Sequence, residues 1–110
     1  MLNEQKPMYY IATVTYMLHG LAMYSDVLIV TKSNHKAFKA IDTNDHMKVI
    51  REETYPDNAE LVEGSHNKYF GINEYGDAVY EDTIHVECKV DDAEPSYCTV
   101  MYQITKKELA

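Results

Sequence analysis

Apolar positions along the chain follow two different periods, and the first block is a strand pattern. Met8 to Leu18 is rich in aromatic and β-branched residues, without Gly or Pro, which predicts a β-strand. Leu21 to Thr31 has the same character, and His19-Gly20 between them predicts a tight turn. A two-residue loop there sets Tyr16 opposite Met23 and Ala12 opposite Val27. In that register one face carries Tyr10, Val14, Tyr16, Met23, Val27 and Ile29, and the other carries Tyr9, Ile11, Met17, Tyr24, Leu28 and Val30. A hairpin apolar on both sides is expected to be covered on both, by a helix on one and by sheet or a second subunit on the other.

The period then changes. Lys32-Ser33-Asn34 offers N-capping oxygens, and His35 to Ile41 places Ala37, Phe38 and Ile41 on one side at helical spacing, with Lys36 and Lys39 outside. This predicts one short amphipathic helix, broken by Asp42-Thr43-Asn44-Asp45, whose side chains favour turns. His46 to Thr54 reads as a further strand with Met47 and Val49 on one face. Tyr55 to Lys68, rich in Pro, Asp, Asn, Glu, Gly and Ser, reads as a loop or short helical turn.

Strand character resumes at Tyr69 to Ile72 and Ala78 to Val90, around a turn at Asn73 to Asp77 in which Gly76 suits a positive φ. Ile84, Val86, Cys88 and Val90 alternate with polar neighbours, as do Cys98, Val100, Tyr102 and Ile104. Closing these two strands across Asp91 to Pro95 is expected to set Cys88 opposite Cys98, Val86 opposite Val100 and Ile84 opposite Tyr102, with every apolar residue on one face. The fold expected is therefore α+β, a mainly antiparallel sheet of about five or six strands with one short helix packed on it. The 110 residues make a single domain, 1–110.

Charge changes the picture of function. Residues 1–51 hold 4 acids and 6 bases, residues 52–94 hold 13 acids and 2 bases, and residues 95–110 hold 1 acid and 2 bases. The middle segment alone makes the net charge -8, which leaves little for phosphate-backbone binding and disfavours direct nucleic-acid contact. Its carboxylates are expected to cover one end of the domain. The longest aliphatic run, Val27 to Val30, is far too short to span a membrane, and Met1 to Met8, with Glu4 and Pro7, lacks the pattern of a secretory signal. Two cysteines are too few for a secreted disulfide framework, so a cytoplasmic location with reduced thiols is expected.

Candidate chemistry is sparse. His85, Cys88 and Cys98 are metal-ligand types, but His85 and Cys88 are three apart on a strand and point to opposite faces. Cys88 lacks the basic, electropositive setting of a nucleophile. Asp42 to His46 alternates oxygens like a calcium loop but has neither its Gly nor its Glu. His19, His35, His46, His66 and His85 are scattered. No metal, cofactor or catalytic residue is expected.

Two function classes follow. In the first, the chain is expected to be an acidic interaction protein, an inhibitor or decoy of the kind a phage or mobile element encodes, and not an enzyme. Asp77, Glu81, Asp82, Glu87, Asp91, Asp92 and Glu94 would occupy a basic, nucleic-acid-binding partner's phosphate sites. Tyrosines turned away from the core would add amphipathic anchors. In the second, it is a small dimeric enzyme or ligand-binding domain with a pocket between sheet and helix lined by Tyr and His.

Overall fold

The segments with unbroken β-branched and aromatic content are strands at the boundaries their pattern sets, β1 (Met8–Leu18) and β2 (Leu21–Thr31). The computed structural model describes residues 7–18, 21–53, 59–91 and 94–108, so the expected turn at His19-Gly20 lies outside the described residues. Leu18 pairs with Leu21 and Met17 with Ala22, as a two-residue loop requires. Beyond that the expected register fails, because irregularities at Tyr16/Met17 and Ala12/Thr13 place Tyr16 opposite Tyr24 and Ala12 opposite Ile29. Each bulge adds one residue to β2, which turns Tyr24 and Ile29 onto the face of Tyr16 and Ala12. There the Tyr16 and Tyr24 rings meet at 5.6 Å.

Helix α1 (Asn34–Thr43) starts where the capping residues predict, with the Ser33 hydroxyl accepting the Lys36 N–H at 3.2 Å. Ala37 and Ile41 are buried and Phe38 partly so, while Lys36 and Lys39 are exposed. His46–Glu53 form a helix, α2, and not the expected strand, and Thr54 lies outside the described residues. Asp45 caps it, its carboxylate accepting the Lys48 N–H at 3.1 Å and its carbonyl the Val49 N–H at 3.3 Å. Met47 and Ile50 satisfy a helical spacing as well as Met47 and Val49 satisfy a strand one, and packing decides, since Ile50 is buried.

A third correction concerns residues 60–68, which belong to a strand and not to a loop: β3 spans Glu60–Ile72. It is the outermost strand beside β4 (Ala78–Lys89) and is exposed along most of its length, so it needs no buried alternation to hold its place. The β3–β4 turn forms as its composition predicts, with Gly76 at φ 83. The last strand, β5 (Ser96–Glu108), pairs with β4 two residues away from the expected register: Cys88 faces Ser96, Val86 faces Cys98, Ile84 faces Val100 and Asp82 faces Tyr102. A two-residue shift keeps every side chain on its face, so alternation excludes odd slips and is blind to this one.

All five strands form one antiparallel sheet in the order β2-β1-β5-β4-β3. Both helices lie in the crossover from β2 to β3 and pack on one face. Their core is Ala12, Val14 and Tyr16 from β1, Ile84 and Val86 from β4, and Val100, Tyr102 and Ile104 from β5, closed by Ala37, Ile41 and Ile50. Apart from the buried Val79, the opposite face is half-buried to exposed and rich in threonine, with Thr13, Thr15, Thr83, Thr99 and Thr105 beside Glu81, His85 and Glu87. No helix among the described residues is long and apolar enough to cross a membrane.

Candidate functional site

The helix-covered face has an apolar end and a polar end. At the apolar end Phe38, on the second turn of α1, faces Tyr10 of β1, Tyr80 of β4 and Ile104 of β5, with Phe70 reaching across from β3. These residues line a cavity of about 270 Å³. Its walls are rings: Phe38 lies 4.9 Å and Phe70 4.7 Å from Tyr80, both tilted in the range that aromatic pairs favour. Phe70 is 73% exposed, so one face of its ring is left for an occupant to cover. Polar groups are few. Lys106 stands at the rim with its ammonium 5.8 Å from the Tyr10 ring, and Asn34 at the start of α1 completes the lining. Burial raises the Tyr80 hydroxyl above its usual range, with Asp82 and Asp42 adding to the effect, so Tyr80 is a neutral donor there.

Two residues further along β4 the face turns polar. A chain of contacts runs from Tyr16 through Asn44, Tyr102, His46, Glu63 and His66 to Asp82, crossing from β1 to β4. The Asn44 amide donates to the Tyr16 and Tyr102 hydroxyls at 3.3 and 2.8 Å. The Tyr102 hydroxyl stands 2.9 Å from Nδ1 of His46 and 3.5 Å from the Asn44 carbonyl oxygen, and His46 Nε2 faces Glu63 Oε2 at 3.4 Å. Glu63 Oε1 lies 2.6 Å from Nε2 of His66, and Nδ1 of His66 lies 3.2 Å from Asp82 Oδ2. Asp82 and then Glu63 raise the His66 pKa, and His66 in turn lowers that of Glu63. Desolvation raises Tyr102 and Tyr16.

A bulge makes this cluster. Residues three apart on a regular strand face opposite ways, yet Glu63 pairs with Val86 and His66 with Ile84, both on the helix side, because the ladder shifts between Glu63 and His66. Gly64 sits at that shift, where a Cβ would stand 3.0 Å from the carbonyl oxygen of His85. The arrangement ties β3, β4, β5 and α2 together. Among the described residues no group of three His, Cys, Asp or Glu is placed to hold a metal ion. Cys88 and Cys98 are thiols buried in the core, and burial pushes the Cys98 thiol up to about 11, which removes it from nucleophilic chemistry.

The carboxylates singled out in the sequence do not gather at one end, contrary to expectation. Asp77 is in the β3–β4 turn, with its backbone N–H bonded to Asn73 Oδ1 at 3.0 Å, while Asp91 and Glu94 are exposed at the other end of β4. Glu81 and Glu87 are on the threonine-rich face, where Glu81 accepts from the Gln103 amide at 2.8 Å. Asp82 is buried against His66, and Asp92 lies outside the described residues. From Asp77 to Asp91 an extended strand covers about 45 Å. Of the strand tyrosines, Tyr16 and Tyr102 are core, whereas Tyr24 and Tyr97 are exposed. Sequence reasoning missed the gathering of His46 and His66 on Glu63, and the one local signal was Gly64-Ser65 within an otherwise continuous strand. Searches against family models, curated proteins and solved structures found no match to this α+β chain.

Proposed function

We propose that this domain binds a small ring-bearing anion in the cavity between α1 and the sheet. The observation that carries this reading is a concave site of about 270 Å³ walled by Tyr10, Phe38, Phe70 and Tyr80 with a single lysine at its rim. Apolar walls with few polar groups are the ordinary makeup of a ligand site, and this volume is near the lower end of the usual range, suited to a single or fused ring. Lys106 selects the charge. Its ammonium already occupies the electron-rich side of Tyr10, so a cationic ligand meets repulsion and a carboxylate or sulfonate meets a partner. The docking of a basic protein on residues 77–94 has less support, because Asp82 is committed to His66 and the remaining carboxylates are spread along the strand.

Titration with a naphthalenesulfonate, followed by amide NMR, tests the proposal. Gly71, Ala78 and Lys106 should shift together, and Phe38→Ala or Lys106→Glu should weaken binding about tenfold or more, equivalent to at least about 1.4 kcal/mol. Shifts confined to the exposed residues of β2, or an affinity indifferent to both substitutions, would overturn it.

A further inference from the structure

We propose that β2 is a self-association edge, along which two copies of the chain pair antiparallel about a two-fold axis and continue one sheet through both. Among the described residues β2 is a terminal strand of the sheet, with no strand beyond it to pair with its outer backbone groups. It exposes apolar side chains on both faces at once. Leu21 is 69% and Tyr24 41% exposed on the helix side, and Val27 is 55% and Val30 52% exposed on the threonine-rich side. A partner lying on one face leaves the other bare, whereas an added strand covers both and satisfies the edge backbone.

The charge distribution commits this edge to a second copy. Asp26 is the single charge on β2, and its carboxylate turns back to accept the Val27 N–H at 2.9 Å. The acidic segment 52–94 supplies β3 and β4, which β1 and β5 separate from β2. With strands about 4.8 Å apart, β4 is about 14 Å from β2, beyond the roughly 8 Å over which exposed charges interact at physiological salt. Copies of a chain of charge -8 therefore approach through β2 with the least repulsion, and their acidic strands end up outermost. Antiparallel pairing about a two-fold axis needs no second kind of surface, because the same edge serves both copies.

Sedimentation velocity of the full chain over a concentration range is the test. A dimer is expected, undiminished by added salt, and Val27→Lys combined with Val30→Lys should raise its dissociation constant at least about a hundredfold while the far-UV circular dichroism stays unchanged. A wild-type chain that stays monomeric at about 100 μM, or a dimer that survives the folded double variant, would overturn the proposal. Should that variant unfold, amide exchange on the wild type decides. Slowing of β2 amides with rising concentration supports the edge; protection that ignores concentration, or that falls on β3 or the threonine-rich face, overturns it.

Discussion

The two outer strands of this sheet treat the same liability in opposite ways. β3 intersperses its exposed Val62, Tyr69, Phe70 and Ile72 with Glu60, Glu63, His66 and Lys68, and it is kinked by the bulge between Glu63 and His66. β2, of similar length, carries one charge and exposes Leu21, Met23, Val27 and Val30. Both outer strands have ladder irregularities, one on β3 and two on β2, so the difference lies in charge, which on an edge strand keeps other chains from adding to it. The difference teaches that β3 is built to remain an edge, while β2 has a surface that gains from being covered.

The largest effect tests whether the two edges share one foundation. Ile84 on β4 is buried opposite Val100 on β5 and His66 on β3, one strand in from the β3 edge. Ile84→Ala should lower the unfolding free energy by about 2–5 kcal/mol through lost burial and a residual cavity. Urea denaturation followed at both edges should still show a single transition. Separate transitions for β2 and β3 would break the comparison, since the edges would then belong to independent folding units.

A smaller effect sharpens the account of β3. Gly64→Ala places a methyl 3.0 Å from the His85 carbonyl, and the ladder must give way by a few tenths of an ångström. A cost of about 1–3 kcal/mol is expected, measured by denaturant midpoint. NMR of the His66 ring should show its contacts with Glu63 and Asp82 loosened. A neutral substitution would mean that the bulge is not held by this close approach.

The smallest effect is in pH. The His66 pKa is raised above its ordinary 6.5 when folded, so its contribution is complete below that value and is lost as pH rises through the raised one. The Glu63 pKa is lowered from its ordinary 4.5, so its contribution is present above that value and is lost as pH falls through the lowered one. The clasp on β3 is therefore strongest in mildly acidic solution. His66 is 40% exposed, so solvent screens much of it. Thermal unfolding against pH should show this shallow maximum in the wild type and lose it in His66→Gln, while self-association through β2, which has no histidine, stays flat over the same range.

Local pattern was enough for β1, β2 and α1, because unbroken β-branched runs and a Ser33 cap with Ala37, Phe38 and Ile41 act within a few residues. It also assigned Ile84, Val86, Cys88, Val100, Tyr102 and Ile104 to one face, since strand alternation is a property of the backbone itself. Where two patterns fit the same residues, as at Met47, Val49 and Ile50, burial under the sheet chose the helix. An exposed edge such as residues 60–68 leaves no hydrophobic signature to read.

Composition and alternation thus determined the α+β class, the covered face and the apolar character of residues 21–31. Only the tertiary structure decided the strand order, the two-residue shift between β4 and β5 and the meeting of His46, Glu63, His66 and Asp82. The reason is range: a period of two constrains each strand against its own neighbours but not its offset along a partner, and a cavity between Tyr10, Phe38, Phe70 and Tyr80 exists only once four separate elements have packed.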